Sequence, residues 1–383
     1  VHCEAHAEVA KQAARESLVL LKNSKETLPL PKTLKRILVC GPAAEEYDTS
    51  VGRYGSFGGE VVSVLEGVKK LMPNAQVIHT LGCEYQDERW PMSEILPEPM
   101  STDAEKKIDE AVKLAQSADA VIVVLGESRI MVGESKTRTS LDLPGQQNDL
   151  VRAMVKTGKP VVAVLLNGRP LSINLLQEKA SAILEAWYPG EYGGMAVAEA
   201  LFGDVNPGGK VPVTFPKTVG QVEYNFPCKP NSQAGMGRDE DPNGSGECLV
   251  NGPLYPFGFG LSYTQFTYSN AKIQPATIKP GEEVTVTLEI KNTGKREGDE
   301  VVQLYLKDLL SSVTTYEKVL RGFERLRLKP GEKKTLAFKL GREDMELIDI
   351  KNQRTVEPGD FAVELGSSST DIRQSVKFKV AAP

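Results

Sequence analysis

Two unbroken apolar runs constrain this chain most: Ala120–Leu125 (AVIVVL) and Pro160–Leu166 (PVVAVLL). Successive side chains of a strand point to opposite faces, so a strand with one wet face alternates apolar and polar residues. A run with no polar residue must be buried on both faces, the condition of an inner strand in a parallel sheet flanked by helices. The flanking pattern agrees. Arg36–Cys40 (RILVC), Ala75–Thr80 (AQVIHT) and Ser181–Ala186 (SAILEA) read as further strands, and Val61–Leu71, Ala104–Gln116, Leu150–Thr157 and Gly194–Phe202 have helical spacing. Residues 7–22 read as one amphipathic helix, ended by Pro29 and Pro31. Ligands of such sheets bind beyond the carboxyl ends of the strands, so chemistry is expected in the loops after Cys40, Leu125, Leu166 and Ala186.

From Phe266 the period changes to two. Val284–Ile290 (VTVTLEI), Val301–Leu306, Lys334–Leu340, Phe361–Leu365 and Val376–Val380 are separated by turns such as Lys329-Pro330-Gly331-Glu332. Short alternating strands with Pro-Gly turns predict an antiparallel β-sandwich of immunoglobulin or fibronectin type III kind. The expected division is a helix or linker over 1–34, an α/β domain over 35–215, an irregular Pro/Gly/Asn-rich stretch over 216–260 and the sandwich over 261–383. A chain of 383 residues has room for two or three such cores.

Composition narrows the function classes. The net charge of −5 leaves no basic surplus to hold phosphates, so nucleic acid is not an expected partner. No apolar run approaches the roughly 18 residues of a membrane span. The chain starts at Val1-His2-Cys3 inside a helical pattern, with no visible signal peptide, and reads as a segment of something longer. His2 and His6 stand four apart on that helix without a third ligand, and no Cys/His spacing suggests zinc. Cys228 and Cys248 bracket a Gly/Pro/Asp-rich loop, where a disulfide or two free thiols are equally compatible.

The loop after Leu125, Gly126–Arg138 (GESRIMVGESKTR), carries two Glu, two Arg and a Lys. A carboxyl held beside a hydrophobic strand end has its pKa raised, as a general acid requires, while a nearby guanidinium opposes the shift. A solvated loop with surface ion pairs is the plain alternative. After Cys40, Arg53-Tyr54-Gly55-Ser56-Phe57-Gly58-Gly59 offers aromatics suited to stacking on a ligand, or simply an exposed loop. GxGxxG, GxxxxGK[ST] and GxSxG are absent, which leaves nucleotide binding and a serine triad without support.

Six blocks together resemble glycoside hydrolase family 3, of the β-glucosidase and β-xylosidase type: Ala10–Pro29, Leu141–Gln146, Gly158–Pro170, Ala186–Gly194, Leu201–Pro216 and Leu254–Tyr263. The resemblance implies an (α/β)6 sandwich domain with a mainly parallel sheet, then a fibronectin type III-like domain. It also implies an N-terminal (β/α)8 barrel, in cis or trans, bearing the aspartate nucleophile; no such barrel lies on this chain. By likeness of Gly133–Arg138 to the family's loop, the general acid/base falls on Glu134 and a supporting, substrate-binding role on Arg138. Glu127 resembles the family's strand-end Gly-Glu, a structural position. Tyr54 lies roughly where relatives place an aromatic of the +1 subsite, with Phe57 as the alternative. The implied activity is retaining, exo-acting hydrolysis of terminal β-D-glucosyl residues, with no cofactor, in the periplasm or outside the cell. A β-xylosidase, and a non-catalytic carbohydrate-binding module, are the other readings of the same fold. The apolar surface facing a barrel is expected to make an isolated chain adhesive or a homodimer.

Overall fold

The computed structural model describes residues 3–55, 61–222, 225–229, 250 and 252–382. It contains two compact units: Val1–Gly209 with Pro216–Gly220, and Lys210–Phe215 with Gln221–Pro383.

The first unit runs α1 (Glu4–Ser17), β1 (Val19–Asn23), β2 (Arg36–Cys40), α2 (Asp48–Val51), α3 (Val64–Leu71), β3 (Gln76–Thr80), α4 (Met92–Ile95), α5 (Thr102–Gln116), β4 (Ala120–Gly126), α6 (Gln147–Lys156), β5 (Val161–Leu166), α7 (Asn174–Lys179), β6 (Ala182–Glu185) and α8 (Gly193–Phe202). The strands form one six-stranded sheet in the order β1-β6-β5-β4-β2-β3. Neighbours from β6 to β3 are parallel, and β1 is antiparallel to β6. Every residue of β4 and β5 is buried, as their unbroken apolar runs require. The helices that cover them begin on sequence signals. Ser63 and Glu66 close a capping box at α3, and the Ser101 hydroxyl accepts the Ala104 N–H at α5.

One expectation is corrected. Residues 7–22 do not form a single helix: α1 ends at Ser17, and Val19–Asn23 is an edge strand of the sheet. Leu18–Leu21 is apolar on every side, and all four residues are buried. Pairing of Val19 and Leu20 with β6 comes with burial of the whole run, a tertiary gain that outweighs a modest helix preference.

The second unit is built from β7 (Phe266–Gln274), β8 (Thr277–Ile278), β9 (Val284–Asn292), β10 (Gly298–Asp308), β11 (Val319–Leu328), β12 (Lys333–Leu340), the single turn α9 (Arg342–Met345), β13 (Leu347–Ile348), β14 (Arg354–Thr355), β15 (Gly359–Gly366) and β16 (Ile372–Val380). Sheets β11-β10-β15-β16-β8 and β12-β9-β7 enclose the core. The alternation read in the sequence is the burial pattern observed: Val284, Val286, Leu288 and Ile290 of β9 are buried, and the residues between them are not. Phe361 and Phe378, paired across β15 and β16, stack with centroids 5.2 Å apart. Between the units' main spans, the described residues of 216–260 form one 3₁₀ turn, Val219–Gln221, and a single bridge between Phe215 and Tyr255.

Candidate active site

The chemistry-bearing loops meet at the carboxyl ends of β4, β5 and β6. β4 ends on Gly126 at φ +139°, where a Cβ would lie 1.9 Å from the Leu166 carbonyl oxygen, so only glycine fits. Gln147, buried at the start of α6, fixes this strand end. Its Oε1 accepts the Gly126 N–H at 2.8 Å and its Nε2 donates to the Gly126 carbonyl at 2.9 Å.

That turn sends Glu127 inward, fully buried. Arg138 Nη1 donates to its carboxylate at 2.8 Å, and Arg169 Nε donates at 3.2 Å to one oxygen while lying 3.0 Å from the other. Burial pushes the Glu127 carboxyl above the usual carboxylate range, and the guanidiniums of Arg169 and Arg138 pull against it. The arginines reach further. Arg138 Nη2 donates to Glu94 at 2.7 Å and to the Asp142 carbonyl at 2.9 Å; Arg169 Nη2 donates to the Met131 carbonyl at 2.9 Å.

Between these contacts the loop rises to the surface. Gly133, at φ +105°, has Arg53 Cδ only 2.5 Å from where a Cβ would stand. Glu134 is exposed, and its side chain has no hydrogen bond or ion pair among the described residues. Its backbone is held: the N–H donates to Tyr54 Oη at 2.6 Å, and Arg53 Nη1 donates to its carbonyl at 3.5 Å. Tyr54 itself is 73% exposed, so its ring remains open to a ligand.

The structure therefore brings Glu134 and Tyr54 together. The Arg138 side chain, expected to bind substrate, is turned inward: it is 1% exposed, and its guanidinium is engaged by Glu127, Glu94 and the Asp142 carbonyl. Arg138 supports the loop from below. Phe57 lies outside the described residues, as do Cys248 and His2; Cys228 is a half-buried free thiol among those described. Glu127 is fully buried and paired with two arginines. Among the described residues no group of three or more His, Cys, Asp or Glu is arranged for a metal ion.

Sequence reading missed Arg169, Glu94, Gln147 and Glu185. Glu185, the last residue of β6, is fully buried. It accepts the Trp187 N–H at 2.9 Å and lies 3.3 Å from Asn167 Nδ2. Burial, with a smaller contribution from the Glu127 charge, pushes its carboxyl up to about 8. A Glu closing an apolar strand was the one available signal, because such a residue must be either protonated or paired.

Comparison with known proteins follows the same lines. The profile described as glycosyl hydrolase family 3 C-terminal domain matches residues 18–263, and that of a fibronectin type III-like domain matches 300–369. The chain is 41% identical over 375 residues to a beta-xylosidase of Formosa agariphila, covering 95% of this chain and 48% of that protein. It is 40% identical over 387 residues to a periplasmic beta-glucosidase of Salmonella typhimurium, covering 96% and 49%. Among solved structures, a β-glucosidase from Erythrobacter marinus superposes with a TM-score of 0.86 at 34% identity, covering 99% of this chain and 51% of that one. A beta-glucosidase from Listeria innocua in complex with isofagomine gives 0.86 at 32% identity, covering 100% and 51%. The chain thus spans about half the length of the relatives it matches.

Proposed function

Because this chain belongs to glycosyl hydrolase family 3, we propose that it is the acid/base-bearing part of a retaining exo-β-glycosidase acting on terminal β-D-glucosyl residues. A (β/α)8 barrel, in cis or in trans, supplies the aspartate nucleophile. The observation that carries this reading is the state of Glu134: an exposed carboxylate without a side-chain partner among the described residues, on a loop anchored to either side of it, with the open ring of Tyr54 beside it.

The chemistry follows from two carboxyl groups about 5–5.5 Å apart in retaining enzymes. The barrel's carboxylate attacks the anomeric carbon as the glycosidic C–O bond breaks, and Glu134 gives its proton to the departing oxygen. The glycosyl-enzyme then receives water, whose proton returns to Glu134 as the C–O bond to the nucleophile breaks. The Tyr54 ring forms a stacking surface for the aglycone, the group released with that proton. Both β-glucosidases and beta-xylosidases occur among the relatives; aryl β-glucoside and β-xyloside assayed side by side decide the sugar. The periplasm or the extracellular space as the site of action is supported by the name of the Salmonella relative.

The test is Glu134→Ala in the enzyme assembled with its barrel. Positioned proton transfer is worth about 10²–10⁴-fold, so hydrolysis of poor leaving groups should fall by that factor. Turnover of a dinitrophenyl glycoside should be restored by azide, with glycosyl azide as product. Equal loss for all leaving groups, without azide rescue, overturns the assignment.

A further inference from the structure

We infer that Glu127 is the positioning residue of this site: it holds the acid/base loop by two arginine arms, one on either side of Glu134. This rests on the reading of Glu134 as the acid/base and goes beyond it.

The geometry is that of a hub. One carboxylate at the end of a rigid, fully buried strand binds both guanidiniums. Arg169 carries the hold to the Met131 carbonyl, three residues before Glu134. Arg138, four residues after Glu134, carries it to the Asp142 carbonyl and to Glu94. The segment between these anchors contains two residues in the left-handed region, Gly133 and Ser135, and surfaces as a short arch with Glu134 at its crest. Apart from the Tyr54 and Arg53 contacts to the Glu134 backbone, this exposed segment has little packing to fix it, so its position also depends on where its ends are held. A carboxylate buried among apolar strands is costly unless it is fully paired, and each arginine uses separate nitrogens to bridge it to a backbone carbonyl, a fork that a lysine or an amide does not reproduce. Two of the three guanidinium hydrogen bonds made beyond the hub, to Met131 and Asp142, fall on loop backbone; such bonds set the path of the chain.

Misplacement of a reacting group by about 1 Å costs about 10²-fold. Glu127→Gln keeps the shape and an acceptor but loses the charge that draws in both arginines. In the assembled enzyme it should lower kcat on glycosides with poor leaving groups about 10–100-fold, and lower it less on dinitrophenyl glycoside. The dependence of kcat on leaving-group pKa should therefore steepen in the same sense as in Glu134→Ala, though less far, with the alkaline limb of the pH profile displaced. Arg169→Gln cuts the Met131 arm alone at a partly exposed side chain and should steepen the dependence by a smaller amount. It also decides the matter should Glu127→Gln fail to fold. The two ideas separate cleanly. If Glu134→Ala leaves the leaving-group dependence unchanged, the acid/base reading fails. If Glu134→Ala steepens it while folded Glu127→Gln or Arg169→Gln loses activity equally on every leaving group, the acid/base reading stands and the positioning role of Glu127 is overturned.

Discussion

At the scale of single residues, the site rests on hydrogen bonds that residue types alone do not announce. Tyr54 has two features that a mutation can separate. Its ring is exposed, and its hydroxyl accepts the Glu134 N–H at 2.6 Å. Tyr54→Phe keeps the ring and removes the acceptor. At an exposed site the stability cost should stay near 1 kcal/mol or below. In steady-state assays kcat on a poor leaving group should fall several-fold with KM little changed, whereas Tyr54→Ala should raise KM as well. Tyr54 was readable as an aromatic on a glycine-rich loop, and Glu134 as a carboxylate after glycine. Their hydrogen bond was not readable, because 80 residues separate them.

At the scale of elements, the ends of strands decide the electrostatics. β4 and β6 each deliver a Glu into a dry interior, but their surroundings differ. Glu127 meets two guanidiniums, while Glu185 has an N–H and an amide. With its carboxyl at about 8, Glu185 keeps its proton in the folded protein across a range where the unfolded chain has released it. The folded state then binds more protons than the unfolded state, so stability falls as pH rises. It is highest below the ordinary Glu value of about 4.3 and is lost progressively up to pH 8. Melting temperatures recorded from pH 5 to 9 should decline for the native protein. They should be flatter for Glu185→Gln, whose amide oxygen still accepts the Trp187 N–H. The apolar content of these strands was plain from the sequence. The glutamates at their ends differ through Arg138, eleven residues further along the same loop as Glu127, and Arg169, from the loop after β5.

At the scale of the whole molecule, each unit is stabilised by its own buried core. In the second unit Leu288 lies at the centre of β9, fully buried in a core formed by residues of both sheets. Leu288→Ala should cost about 2–5 kcal/mol, seen as earlier unfolding in denaturant and faster amide exchange in β7, β9 and β12. The sequence by itself determined the class of each unit. Long unbroken apolar runs such as those of β4 and β5 point to strands covered on both faces, and strict alternation to half-buried ones; both are local patterns of period and burial. It also pointed to the loops after β2, β4, β5 and β6 as the expected places for chemistry. Tertiary structure alone decided that Leu18–Leu21 leaves the helix to edge the sheet, that Arg138 turns inward to Glu127, and that Glu134 is exposed with its backbone N–H bound to Tyr54. Those outcomes depend on partners distant along the chain. Hydrogen bonds and charge pairs act over a few ångströms in space, whatever the separation in sequence, so no local pattern encodes them.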